Sequence, residues 1–238
     1  MEYALHLESG PRQRKTMVHV LDLLGCTAQG PTPEAALEAA SEAIRAYLRF
    51  LWRHGEAVEP DAGFTTVIAE YVTEGGWLGN GDPTLGFGPD FRPLSADDLA
   101  VYLRRLAALR ADLLALIREV PQAQLVAEPS DGSRSLFRIL EHMTESQCVY
   151  LRYLVGKVDG LAEAQRAVQA GPAELSAALM HLWQISSARL EILTEAERAQ
   201  QVPHGQVTWT ARRALRRMLE HDWEHWLELS RRLNGVAV

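Results

Sequence analysis

The sequence predicts two successive architectures: an α+β module in the order β-β-β-α-β, then an all-α four-helix bundle. Three observations predict this. Six of the 17 glycines (Gly75, Gly76, Gly79, Gly81, Gly86 and Gly88) gather between Glu74 and Leu94, with Pro83, Pro89 and Pro93 among them. Before that seam, apolar residues alternate along two segments; after it they recur at helical spacing throughout. A span with no sustained period reads as a connection, so 74–94 is taken as a linker between a module over 1–73 and a bundle over 95–235. Gly79-Asn80-Gly81 does not make a phosphate loop, because the third glycine is absent at the required spacing and Pro83 intervenes.

In the front module, Tyr3–Glu8 and Thr16–Asp22 alternate as strands do. Leu24–Gly30 supplies a bend and a short third strand. Thr32 can cap a helix whose first residue is Pro33, where a missing N–H costs nothing. Leu37, Ala40, Ile44, Tyr47, Leu48 and Leu51 then recur until His54-Gly55 closes the helix. Phe64–Tyr71, rich in β-branched residues, makes a fourth strand.

Past the seam, Ser95-Ala96-Asp97-Asp98 has the form of a capping box. Leu99, Tyr102, Leu106, Leu109, Leu113, Leu116 and Val120 follow at helical spacing, and Pro121 ends the run. A second helix covers about 134–155, a third about 171–198 and a fourth 208–235. Four long amphipathic helices with interposed loops indicate a bundle.

Charge narrows the function classes. The chain carries −7 overall, and residues 1–74 hold 11 Asp/Glu against 6 Lys/Arg. That balance disfavours nucleic acid and anionic membrane surfaces as partners, since both need a cationic face. Two cysteines, Cys26 and Cys148, cannot build a disulfide framework. With no basic leader at the amino terminus and no apolar run near ~18 residues, a cytoplasmic setting is expected.

The chemistry concentrates in the fourth helix, at His221-Asp222-Trp223-Glu224-His225. Residues four apart on a helix differ by about 40° in direction and about 6 Å in rise, so both imidazoles can reach one cation. His142 on the second helix would complete three neutral imidazoles, leaving a fourth position open as catalytic metals require. On helical wheels these histidines stand roughly 80–125° from the apolar centre of their helices. Such an angle suits either a site at the bundle margin or simple exposure, and periodicity alone leaves both open. His181 on the third helix shares that edge direction.

Arg212, Arg213, Arg216 and Arg217 crowd the start of the fourth helix, and a solvated charged face is the usual reading of such a run. Arg217, one turn before His221, is the candidate to bind an anionic substrate group. Glu141, Glu145 and Glu224 lie near the histidines in sequence without any one being assigned as a base. Cys148 and Cys26 read as packing residues.

Two resemblances add to this. Leu21-Asp22-Leu23-Leu24-Gly25-Cys26-Thr27-Ala28-Gln29-Gly30, then Thr32–Ala40 and Ala43-Ile44-Arg45-Ala46-Tyr47-Leu48, resembles the HicB-type antitoxin domain, with Leu24 where that family carries proline. The resemblance implies a partial ribonuclease-H-like fold and, in true antitoxins, binding of a small toxin; the acidity of the front domain makes a basic protein the expected partner. The second half, with His142 in LFRILEHMTESQCVYL and His221/His225 in TARRALRRMLEHDWEHWLEL, resembles the DinB-like bundles. That implies a divalent metal, zinc or nickel, held by His142, His221 and His225. Related branches are isomerases and transferases that use a low-molecular-weight thiol; the open metal position also admits hydrolysis of a small-molecule substrate, and the exposed helix face of a bundle makes a homodimer the expected assembly. The competing reading is a non-enzymatic interaction protein: the front domain binds a partner and the bundle is a dimerising scaffold.

Overall fold

Strand β1 (Glu2–Ser9) pairs antiparallel with β2 (Thr16–Val20), which pairs antiparallel with β3 (Cys26–Gly30). Helix α1 (Pro33–Arg53) carries the chain over to β4 (Thr65–Val72), which lies parallel to β1, giving the order β3-β2-β1-β4. The predicted β-β-β-α-β sequence of elements is therefore present. The computed structural model describes residues 1–234 and divides into two compact units. The first comprises Met1–Arg92 together with Leu219–Trp223; the second comprises Pro93–Met218 and resumes at Glu224.

Local chemistry explains α1. The Thr32 hydroxyl accepts the Ala35 N–H at 3.2 Å, and Pro33 occupies the first turn. Ala36 and Ala40 are buried with Ile44, Tyr47, Leu48 and Leu51, small residues at one end letting the helix approach the sheet closely. The sheet itself departs from a simple inside–outside alternation. Tyr3, Leu5 and Leu7 share one face and Ala4, His6 and Glu8 the other, yet from Leu5 onward both faces of β1 are buried.

The cover on the polar face is the glycine-rich span. Residues 73–92 hold one 3-10 turn, Gly88–Phe91, and no strand or α-helix. They are nevertheless packed: Leu78 and Phe87 are buried, and the Phe87 ring lies 5.2 Å from that of His6 and 5.1 Å from that of His19. The Asp82 N–H donates to the buried Glu8 carboxylate at 3.1 Å, and Lys15 Nζ donates to Asn80 Oδ1 at 2.6 Å. Gly79 is required here, with φ +80° and a would-be Cβ only 2.1 Å from the Lys15 carbonyl oxygen. The part of this span from Leu78 to Phe87 thus packs as a lid over the sheet.

The second unit is helical apart from one hairpin. Its helices are α2 (Ala96–Ile117), α3 (Gln122–Val126), α4 (Leu136–Val155), α5 (Leu161–Gln169), α6 (Leu175–Glu191), α7 (Glu195–Ala199) and α8 (Ala211–Asn234). Strands β5 (Val202–His204) and β6 (Val207–Trp209) form the hairpin. Ser95 caps α2 by accepting the Asp98 N–H at 3.0 Å, while the Asp98 carboxylate receives Arg212 Nη2. The predicted third helix is shorter than expected at both ends. It begins at Leu175, and it stops before Thr194, which starts α7 with a capping box to Glu197. Inside this unit Trp183 Nε1 donates to Gln147 Oε1 at 3.1 Å, tying α6 to α4. Among the described residues no helix is long and apolar enough to cross a membrane.

Candidate metal centre

Helix α8 breaks the pattern its sequence suggests. Every residue from Arg213 to Trp223 is buried, so the segment has no solvated face. Arg213, Arg216 and Arg217 are 1%, 2% and 2% exposed, which corrects the reading of this run as a charged surface. A wheel assigns charges to solvent only because it assumes that one side of a helix is wet; here the arginine stems pack and their heads find partners. Arg213 Nη1 donates to the Thr208 carbonyl at 2.7 Å, and its guanidinium lies 4.7 Å over the Trp209 ring.

The three predicted histidines converge. One ligand atom each of His142, His221 and His225 lies within 4.8 Å of the others. His142 comes from α4, and the i, i+4 spacing on α8 stacks His221 and His225 one turn apart. His221 is 7% exposed, and the other two are half-buried. The rings of His142 and His225 meet edge-on, with centroids 5.3 Å apart. His181 is exposed and stands outside the group.

The surroundings suit cation binding. Burial is the main cause that drives His142 down to about 4, with the charges of Arg134 and His225 adding to it. Its imidazole is therefore neutral near pH 7, the form that offers a lone pair. His225 Nδ1 lies 2.9 Å from Glu228 Oε2. An ionised carboxylate only accepts, so Nδ1 carries a proton, and in the neutral ring Nε2 is the atom left for a ligand. The hydrogen bond from His225 is the foremost influence holding the Glu228 carboxyl below its ordinary range, and Arg232 also donates to it. Bonds of 2.0–2.1 Å to a tetrahedral zinc ion would place ligand nitrogens about 3.4 Å apart. From a spread within 4.8 Å, small side-chain rotations reach that separation. The residues present fit a divalent cation.

A family comparison matches the DinB superfamily over residues 105–229, just over half of the chain and inclusive of all three histidines. The chain belongs to the DinB superfamily. No curated protein and no solved structure matches it.

Within this DinB superfamily chain, the candidate carboxylates Glu141 and Glu145 bond to side chains outside the histidine group. Arg138 Nη1 donates to Glu141 Oε2 at 2.6 Å, and Gln169 Nε2 donates to Glu145 Oε1 at 2.9 Å. Glu224 is half-buried on α8. The supporting carboxylate was missed in the sequence, although Glu228 stands three residues after His225 and that spacing places them on one face. Burial raises the Cys148 thiol to about 11, and Cys26 is fully enclosed. At about pH 8 the Cys148 thiolate fraction is then roughly a hundredfold below that of an ordinary thiol. Neither cysteine is expected to react with a disulfide reagent in the native protein, while both should react after unfolding in guanidinium. Rapid native labelling of either would contradict the packing role.

Proposed function

We propose that this DinB superfamily protein binds one divalent cation, zinc or nickel, through His142, His221 and His225. The observation that carries the reading is the convergence of three imidazoles, one of them backed by a carboxylate. Three protein ligands leave a position open, and a cation so held lowers the pKa of a water or thiol placed there. The activity that follows is hydrolysis, or transfer of a group to a low-molecular-weight thiol, on a small-molecule substrate in the cytoplasm. The chain's own residues have clear parts in this. His142 stays neutral and Glu228 fixes the orientation of His225, whereas Arg217, buried within α8, is not open to an anionic substrate group. The supporting architecture is a four-helix bundle of α2, α4, α6 and α8, paired as a homodimer.

The front unit is a HicB-like domain in this proposal, a reading supported by its β-β-β-α-β order and the Thr32-capped helix. Its acidity favours a basic protein partner. Elemental analysis of tag-free protein tests the core of the proposal: close to one equivalent of zinc or nickel is expected. Less than about a tenth of an equivalent, with no change in His225→Ala, would sink it. Turnover of thiol conjugates by the loaded wild type, lost in His225→Ala, separates an enzyme from a scaffold.

A further inference from the structure

We infer that His19, on β2, is a positioning residue for the metal ligand His221. The inference rests on the metal reading above and extends it to a side chain far from the ligands in sequence. The turn Leu219–Trp223 of α8 belongs to the first unit, and three of its residues are gripped there. His19 Nδ1 lies 3.0 Å from Glu220 Oε1, while His19 Nε2 faces Glu8 Oε1 at 3.4 Å. All three side chains are buried. Glu8 is fixed in turn by the Asp82 N–H, so the chain of bonds runs from the lid through the sheet to the residue preceding His221.

Packing holds the same turn on either side of Glu220. Gly25, at φ +104°, leaves room for Leu219, and a Cβ there would stand 2.7 Å from Leu219 Cγ and 2.4 Å from the Tyr47 hydroxyl oxygen. Trp223 is enclosed against Tyr47 and Phe50, with ring centroids 4.9 and 5.1 Å away. His221 therefore sits in the middle of a turn fixed at both ends, and Glu220 is a polar anchor that ties it to β2. An imidazole between two carboxylates sets the rotation of that turn more sharply than apolar contact does, because hydrogen bonds are directional.

The test measures zinc affinity by competition with a chromophoric chelator, together with the visible spectrum of the cobalt-loaded protein. His19→Gln and Glu220→Gln are each expected to weaken zinc roughly 10- to 100-fold, as loss of groups that orient ligands does, and to alter the cobalt spectrum. Leu179→Ala, a cavity in the core of α6, should lower stability and leave both readouts near wild type. Unchanged affinity and spectrum in folded His19→Gln and Glu220→Gln overturn the inference, as does equal weakening in Leu179→Ala. A wild-type chain that takes up no zinc overturns the metal reading and this inference with it. Should the variants fail to fold, hydrogen exchange of the wild type decides: amides of 219–223 as protected as those of β1 and β2 support the anchor, and exchange as fast as in 226–234 refutes it.

Discussion

Zinc at about one hundred times its dissociation constant is expected to raise the Tm of the wild-type protein by roughly 5–11 °C, and that of His225→Ala by almost nothing. A ligand at that excess stabilises the native state by about 2.7 kcal/mol. For a chain of this length each kcal/mol moves the midpoint by about 2–4 °C. The increment disappears in the variant for two reasons. Two imidazoles remain where three converge, and Glu228 loses the ring it orients, keeping only Arg232 as its partner in that pair of bonds. Comparing increments instead of absolute midpoints removes whatever the substitution does to the metal-free fold. His142→Ala and His221→Ala should behave alike, whereas His181→Ala should keep the full increment because His181 is exposed and outside the group. An increment of equal size in wild type and His225→Ala would exclude these histidines as the binding site.

The parts of the molecule legible in its sequence are those set by local periodicity. Thr32-Pro33 fixes the start of α1, and alternation fixes β1 and β2 to within a residue or two. His221 and His225 are readable as a pair because i, i+4 is itself a local geometry. The short helices α3, α5 and α7 are five to nine residues long, too short to carry a period, and were not foreseen. Nor were the long-range pairings. Nothing near Glu8 in the chain announces that its partner N–H comes from Asp82, and nothing near His19 announces Glu220, 201 residues away. Both follow from a physical demand that sequence states only indirectly: a charged residue inside a strand with two buried faces must find partners, wherever they come from. Glu8 and His19 lie on adjacent strands that their own alternation placed, so the demand was visible even though its solution was not.

Trp223→Ala is expected to produce the largest loss of stability of any single change in α8, about 3–5 kcal/mol by the usual range for a fully buried aromatic truncated to alanine. The indole is completely enclosed in the first unit, edge-on to Tyr47 and tilted against Phe50. Each such aromatic pair contributes about 0.5–1.5 kcal/mol beyond the area it buries, and the vacated volume cannot close easily. Tyr47 is held by the hydroxyl bond it donates to the Leu24 carbonyl, and Phe50 is fixed on the same helix. Against a total stability of roughly 5–15 kcal/mol for a native domain, that loss removes a large fraction of the margin. Guanidinium unfolding of the metal-free protein, followed by far-ultraviolet circular dichroism, measures it directly. Trp223→Phe should recover at least half, because a phenyl ring still reaches both neighbours. A loss under about 1 kcal/mol for Trp223→Ala would mean that the turn around His221 is not held by this aromatic contact, and that its position depends on the His19–Glu220 bond and the Leu219 packing alone.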